Sequence, residues 1–358
     1  MAQSPQDARP FDKAQLEQEI GQMLMVGIRG TEMNNEFMEQ TRKQIENGAI
    51  GGIIFFKHNI KDGKQLGDFI HDLNELSVQL PLLLAVDEEG GKARRLKISQ
   101  GFEEFPSAAD VGDKLNLDEA FKVYSRMASQ IHATGLNLNF GPVVDVNINH
   151  SSPAIGKLRR SFSSDPEKVY QYSKAFINAH RNAGVLTTLK HYPGHGSSRE
   201  DTHNDLTDIT KTWEKDEQLP FAKLIDSSMV DIIMAGHLFD QDLDIKYPAS
   251  LSAVHIQDNL RDKLGYEGVV ITDDLQMGAI IKRFSLEEII IAAVNSGSDI
   301  LQFSDPRNLD DDLPQKMQNV ILTAINEGKI KPERIHESYT RIVELKRKLD
   351  ISSNKTVE

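Results

Sequence analysis

The sequence contains no cysteine, and this absence excludes several kinds of site at once. Disulfide frameworks, thiolate metal sites and cysteine nucleophiles all require a residue that the chain does not have. A protein without cysteine tolerates either redox environment, so the compartment cannot be inferred in this way. The chain also lacks any apolar run that approaches the roughly 18 residues of a membrane span. We therefore expect no membrane partner.

Positive charge is in short supply, because 54 Asp and Glu residues stand against 41 Lys and Arg residues, for a net charge of −13. A surface this acidic repels the phosphates of nucleic acids and of anionic membranes, so neither is an expected partner. The opening MAQSPQDARP lacks the charged-then-apolar pattern of an export signal, which predicts a cytoplasmic protein. A short polar stretch is also what a processed signal leaves behind, so a periplasmic or secreted location is the alternative.

Short apolar runs alternate with amphipathic stretches, without low-complexity linkers between them. The runs are rich in Val, Ile, Leu and Met, which is typical of parallel strands buried on both faces. They cover residues 23–28, 52–56, 82–87, 136–145, 185–191, 231–237, 268–273 and 299–303. The intervening stretches predict helices at 35–47, 63–77, 117–134, 166–183, 212–228, 252–264, 286–296 and 313–327, with a last helix at 332–349.

Eight strands alternating with helices favour one α/β domain, a closed (β/α)₈ TIM-type barrel. A doubly wound open sheet is the alternative, although no GxGxxG motif follows the first strand. We predict a polar leader at 1–15, the barrel at 16–350 and a polar tail at 351–358, in a monomer.

Polar residues end several of these runs, and in such barrels the chemistry lies at the C-terminal ends of the strands. These residues are Asp87, Asn139 or Asp145, Lys190 and His191, His237, and Asp273 with Asp274. Helix capping or a satisfied core histidine would explain any one of them. Ionisable groups directly after buried runs are costly unless they are paired or used. The whole set therefore predicts a functional rim.

The longest informative segment follows the fifth run and reads KHYPGHGSSREDTHNDL, with glycines and serines that predict mobility. Three hypotheses compete for it. Asp201 can orient His203 and raise its basicity for general acid/base catalysis. Alternatively, His191, His195, Asp201 and His203 form a zinc or manganese site, although no HExxH spacing is present. The third hypothesis is a solvated loop without chemistry.

Asp273 is the best candidate for a nucleophile, since a carboxylate at the end of GVVITD is held rigidly and partly desolvated. Its alternative role is to cap the next helix, a task that we expect of Asp274 instead. Arg95 and Arg160 suit sugar hydroxyls or an acyl group, yet each alone is more typical of a surface arginine. Lys190, at the end of a buried strand, needs a partner.

These motifs together resemble the glycoside hydrolase family 3 β-N-acetylglucosaminidases of the NagZ-like, single-domain type. The resemblance runs from IGQMLMVGIRG through AVDEEGGKARRL and KHYPGHGSSREDTH to VVITDDLQMGAI. It implies an exo-acting, retaining hydrolase with Asp273 as nucleophile and His203, paired with Asp201, as acid/base. It also implies that no metal or organic cofactor is used. The residues implied to hold the terminal N-acetylglucosamine are Asp87, Arg95, Arg160, Lys190 and His191.

The implied substrate is a peptidoglycan fragment from cell-wall recycling, with N-acetylglucosamine linked to anhydro-N-acetylmuramic acid; chitin oligosaccharides are the alternative. The chain departs from the family pattern at residues 236–238, where GHL replaces an AHI-like segment and Gly236 leaves room beside the sugar. The resemblance covers only the barrel, so we do not expect the second αβα domain that larger family members carry. A phosphorylase, a metal-dependent hydrolase and a non-catalytic carbohydrate-binding or sensor barrel remain rival hypotheses.

Overall fold

The computed structural model describes residues 12–77, 80–203, 205–304 and 310–353. Eight parallel strands pair in chain order, and the first strand also pairs with the eighth. A bridge between Ile271 and Ile300 joins the seventh strand to the start of the eighth, with Thr272 N donating to Ile300 O at 3.0 Å. The predicted barrel is therefore confirmed. Its strands are Leu24–Gly27, Gly52–Phe55, Leu83–Val86, Leu138–Asn139, Leu186–Tyr192, Ile232–Ala235, Val269–Thr272 and Leu301–Phe303.

The second strand shows why these runs are apolar without a break. Phe55 points outward and meets the ring of Phe69 on the next helix edge-on, with centroids 6.1 Å apart. Ile54, between Ile53 and Phe55, faces the lumen and lines the central pocket. Because helices cover the outside and side chains fill the inside, both faces of each strand are buried.

Helices surround the barrel, and most begin at a residue whose side chain accepts a backbone N–H of the first turn, as Asp62, Asn116, Asp165 and Ser285 do. The α-helices are Lys13–Gln22, Glu39–Glu46, Gly63–Glu75, Ala108–Lys114, Leu117–Ala133, Pro166–Asn182, Leu219–Asp226, Gly278–Ile281, Leu286–Ser296, Leu313–Asn326 and Pro332–Ser353. Short 3₁₀ segments lie at Glu36–Met38, Lys57–Asn59, Ile98–Gln100, Lys215–Gln218 and Ala249–Leu251, and a two-stranded sheet pairs Thr207–Asp208 with Leu238–Phe239.

Three elements differ from the prediction. The fourth strand has only two residues, because Pro142 has no N–H for the ladder; pairing resumes at Val143, opposite Lys190. The helix expected over 212–228 begins with a 3₁₀ turn and becomes α-helical only at Leu219, next to Pro220, which suits a first turn. The segment expected as an α-helix over 252–264 is a π-helix at Val254–Lys263.

Both predicted ends extend beyond the described residues. Residues 1–11 of the leader and 354–358 of the tail lie outside them, while residues 13–15 are helical and 351–353 continue the last helix. Within the described ranges, no helix is long and apolar enough to cross a membrane.

The last helix closes the N-terminal end of the barrel. The ammonium group of Lys346, buried beneath the first two strands, donates to Gly51 O at 2.8 Å and to Gln22 Oε1 at 2.6 Å. Nearby, the fully buried carboxylate of Asp299 pairs with three arginines, at 2.8, 2.8 and 3.2 Å. They are Arg261, Arg334 and Arg341. This end of the barrel is a structural ion cluster, so the chemistry is left to the other end.

Candidate active site

A pocket of about 550 Å³ opens at the C-terminal ends of the strands, and all eight predicted site residues line it. They are Asp87, Arg95, Arg160, Lys190, His191, Asp201, His203 and Asp273. Its floor is apolar and includes Ile54, Phe140 and Met234, which come from three different strands or their ends. The pocket is therefore a cup closed from below by the filled lumen of the barrel.

One wall of the cup is a chain of alternating charges. Lys190 Nζ donates to Asp87 Oδ1 at 2.8 Å and to Glu89 Oε1 at 2.7 Å. Arg95 donates to the other oxygen of Asp87 at 2.8 Å. Arg160 binds Glu89 through two nitrogens, at 2.7 and 2.8 Å. Each cation thus has a carboxylate partner, which answers the need predicted for Lys190.

Burial alone would raise the pKa of Asp87, but the charges of Lys190 and Arg95 outweigh it and hold this pKa well below its usual range. Burial also acts to raise the pKa of Glu89, but the nearby charges of Arg160 and Lys190 outweigh this effect and lower the pKa to about 2. Both carboxylates are therefore ionised acceptors at neutral pH. Glu89 was missed in the sequence, although its place in DEEGG, two residues beyond Asp87, marks it as a further acid of the same turn.

His191 is oriented by the buried carboxylate of Asp145, which the sequence offered only as an alternative to Asn139 on the rim, without a partner. Asp145 Oδ2 accepts from His191 Nδ1 at 2.8 Å, and its Oδ1 accepts the backbone N–H groups of His191 and His195 at 3.1 and 2.8 Å. Because Nδ1 donates to the carboxylate, Nε2 is the acceptor and faces the Arg160 guanidinium at 3.4 Å.

Asp273 directly follows the seventh strand, where Asp273 N donates to Ala235 O at 2.9 Å. Asp274 has the predicted capping role, since its Oδ1 accepts Gln276 N at 2.9 Å and its Oδ2 accepts the hydroxyl of Ser304 at 2.9 Å. The two adjacent carboxylates therefore serve different purposes, and that of Asp273 is left to the pocket.

His237 supports this turn from below and is fully buried. Its Nε2 donates to Asp274 O at 2.8 Å, and its Nδ1 accepts from the Ser250 hydroxyl at 2.7 Å. Burial lowers the pKa of His237, so the ring is a neutral tautomer with both nitrogens satisfied. The sequence placed His237 on the rim, and the structure makes it a support for the backbone next to Asp273.

Burial also works to raise the pKa of Asp273, but His237, His191 and His203 together bring it below its usual value. The side chains that lower this pKa are imidazoles. The backbone N–H of Asp274 also lowers it by donating to Asp273 Oδ1 at 2.8 Å. The charge is therefore available for attack on an electrophile at neutral pH.

His203 and Asp201 lie on the loop above the cup. Asp201 Oδ1 accepts both His203 Nδ1 at 2.8 Å and His203 N at 3.0 Å, while 71% of the imidazole remains exposed. The hydrogen bond to Asp201 is the main reason that the pKa of His203 is raised. The same bond lowers the pKa of Asp201 to about 2. Nδ1 is committed to Asp201, so Nε2 is free to exchange a proton in the pocket.

The loop has two unlike parts. Residues 193–198 are buried, and His195 Nδ1 shares a 2.6 Å hydrogen bond with Ser198 Oγ. Arg199 and Glu200 then emerge on the surface and lead to Asp201 and His203.

The histidines considered for a metal site are engaged elsewhere. His191, His195 and His203 use Nδ1 for Asp145, Ser198 and Asp201, respectively. Across the part of the chain that the structure describes, no three His, Asp or Glu side chains come together in a way that could hold a metal ion.

The room left by Gly236 lies behind His191. A Cβ atom at residue 236 would come within 3.1 Å of His191 Cβ and 3.4 Å of two atoms of Leu238. The glycine therefore limits where the His191 side chain can sit.

Comparisons with known proteins agree with this geometry. The "Glycosyl hydrolase family 3 N terminal domain" model matches residues 15–345. A β-hexosaminidase of Tolumonas auensis is 35% identical over 78% of this chain and 81% of its own, and one of Xylella fastidiosa strain M23 is 33% identical over 81% and 86%. A family 3 β-N-acetylglucosaminidase structure from Paenibacillus superimposes with a TM-score of 0.86 at 32% identity, covering 94% of this chain and 63% of that one.

Proposed function

Because the chain belongs to glycosyl hydrolase family 3, as its motifs predicted, we propose that this glycoside hydrolase is an exo-acting, retaining β-N-acetylglucosaminidase. The relatives named above are β-hexosaminidases, and the superimposed structure is a β-N-acetylglucosaminidase. The observation that carries the proposal is that the Asp201–His203 pair and the Asp273 carboxylate line one cup.

In the first step, the carboxylate of Asp273 attacks the anomeric carbon and forms a glycosyl ester, while imidazolium His203 gives its Nε2 proton to the leaving oxygen. Asp201 stabilises the positive charge of the ring in this state through the 2.8 Å bond to Nδ1. The alcohol leaves neutral with the proton from His203, and the positive charge of the imidazolium and the negative charge of the Asp273 carboxylate both disappear as the neutral ester forms.

In the second step, neutral His203 removes a proton from water, and the resulting oxygen attacks the anomeric carbon. The ester bond to Asp273 breaks, and the sugar leaves with the configuration that it had at the start. A histidine in place of the second carboxylate suits an Asp273 whose pKa is held below its usual value, since a further carboxylate at that position would raise it.

The charged wall of the cup would bind the terminal sugar. Asp87 and Glu89 can accept hydroxyl hydrogens, while Arg95, Arg160 and Lys190 can donate to sugar oxygens and to the acetamido carbonyl. Because the lumen beneath the cup is filled, one terminal residue fits and the rest of the substrate extends outward. This geometry favours release of single sugars from a chain end.

For the natural substrate we propose a peptidoglycan fragment, with a chitin oligosaccharide as the alternative, and for the location the cytoplasm. Comparison of kcat/KM on muropeptides and on chitobiose would decide the first point. Cell fractionation would decide the second.

The test uses hydrolysis of p-nitrophenyl N-acetyl-β-glucosaminide by the wild type, Asp273→Ala, His203→Ala and, as a control, Asp258→Asn, an exposed aspartate of the π-helix. We expect turnover by the wild type and the control, and none by Asp273→Ala. Added phosphate should not accelerate turnover; formation of the sugar 1-phosphate would instead identify a phosphorylase. Sugar binding without turnover would identify a binding protein.

A further inference from the structure

A buried carboxyl that takes no part in the mechanism lies against the base of the acid/base loop. Glu217, on the 3₁₀ segment Lys215–Gln218, is fully buried. Its Oε2 accepts Ser197 N at 3.1 Å, and its Oε1 accepts Glu214 N at 3.3 Å. The side chain therefore joins the segment after the loop to the start of the loop itself.

Two further contacts close this junction. Trp213 Nε1 donates to Pro193 O at 3.2 Å. A Cβ atom on Gly194 would lie 2.7 Å from Glu217 Cβ, so a glycine is needed for this backbone to pack so closely against the Glu217 side chain. Residues 193–197 are thus clamped on one side by Trp213 and Glu217.

The opposite side of the same stretch is held by the residues that follow the fourth strand. Asp145 accepts His195 N at 2.8 Å, and Asn149 binds Gly196 O and Ser198 O at 2.9 and 2.8 Å. The chain leaves this double clamp at Ser198 and reaches Asp201 three residues later. The placement of His203 over the cup therefore depends on both walls of the clamp.

We propose that Glu217 is the positioning residue for the acid/base His203, acting through the N–H of Ser197; this inference rests on the proposed function. Burial raises the pKa of Glu217 to about 7, and among the described residues no Lys, Arg or His forms an ion pair with it. Burial of an acid without a cation is costly in free energy. The hydrogen bonds that Glu217 makes to the loop offset part of this cost and give the buried carboxyl a structural purpose.

The test separates positioning of the acid from general damage to the site. Departure of 2,4-dinitrophenolate needs little protonation, whereas departure of p-methoxyphenolate needs the acid. The value of kcat/KM reports the first chemical step alone. We expect Glu217→Ala to lower kcat/KM for the p-methoxyphenyl glycoside about 100-fold, as a misplaced catalytic group does, and for the 2,4-dinitrophenyl glycoside less than about fivefold.

Glu88→Ala is the matched control, because Glu88 is an equally buried acid that holds a different loop, the one that carries Arg95. Its Oε2 accepts the N–H groups of Arg95 and Leu96, both at 3.0 Å, and Arg95 belongs to the sugar-binding wall. Loss of Glu88 should therefore lower kcat/KM for both glycosides by the same factor.

Equal losses on the two glycosides in Glu217→Ala would overturn the inference while leaving the proposed function intact; absence of wild-type turnover on either glycoside would overturn both. If Glu217→Ala does not fold, as judged by circular dichroism, Glu217→Asp takes its place. That side chain withdraws the carboxyl from Ser197 by one carbon and should show the same selective loss. Glu217→Gln keeps an acceptor for Ser197 N and should recover at least tenfold of the activity lost on the p-methoxyphenyl glycoside.

Discussion

Replacement of Glu89 by glutamine tests the charged wall of the cup most sharply. Glu89 accepts one hydrogen bond from Lys190 and two from Arg160, and its side chain is only 6% exposed. The change keeps the shape but removes one of the two carboxylates that balance three cations, the third being Arg95. The net charge of this cluster therefore rises from +1 to +2.

The loss of stability follows from the two cations that remain buried after the substitution. Lys190 is 3% exposed and Arg160 is 13% exposed, so neither cation can recover much hydration. Removing one partner of a buried ion pair costs about 3–5 kcal/mol, because an uncompensated charge remains. We expect Glu89→Gln to lower the free energy of unfolding by about 3 kcal/mol, and Tm by roughly 6 °C at about 2 °C per kcal/mol. KM should rise at least tenfold as Arg160 moves.

Thermal unfolding and steady-state kinetics measure both effects. Glu104→Gln is the matched control, since Glu104 pairs with Arg94 at the surface with 47% of its side chain exposed. A surface pair contributes about 0–1 kcal/mol, so this variant should unfold within about 2 °C of the wild type. Equal stability of the two variants would refute the argument that the wall is held by buried charge.

Three more changes have defined outcomes. Asp299→Ala, which removes the buried carboxylate shared by Arg261, Arg334 and Arg341 at the N-terminal end, should cost about 3–5 kcal/mol in chemical denaturation and leave KM of the folded enzyme unchanged; a cost below about 1 kcal/mol would contradict it. Gly236→Ala should displace His191 and raise KM without affecting the leaving-group dependence, whereas an unchanged KM would show that the ring yields freely. The pKa of His203 is raised by Asp201, so its acid form persists above the usual histidine range and is lost as pH rises; Asp201→Asn should shift the alkaline limb of kcat/KM to lower pH, and an unmoved limb would assign it to another group.

The sequence was sufficient to identify the pocket residues that lie at a strand end. Asp87, Lys190 and Asp273 each follow a buried apolar run, and barrel geometry brings such residues to one rim. Asp201 and His203 were found by their spacing, because a carboxylate two residues away can reach the ring. The barrel itself followed from eight repeated runs.

What could not be predicted depends on contacts between distant segments. Asp145 lies beyond a proline that ends the fourth strand, and its partners are backbone N–H groups some 46 to 50 residues later. Glu89 is one of three consecutive acids, and periodicity outside a regular strand does not tell which of them faces the pocket. The π-helix at Val254–Lys263 has the same apolar spacing as an α-helix over so short a length.

The central claim is a covalent intermediate on Asp273, and mass spectrometry of the trapped enzyme tests it most directly. An activated 2,4-dinitrophenyl N-acetylglucosaminide, incubated with His203→Ala, should accumulate the glycosyl-enzyme, because the first step needs little acid while water is no longer activated for the second step. The account predicts a mass increase of one N-acetylglucosaminyl group that maps to the peptide carrying Asp273. Full turnover by Asp273→Ala, or a label on another residue, would contradict it.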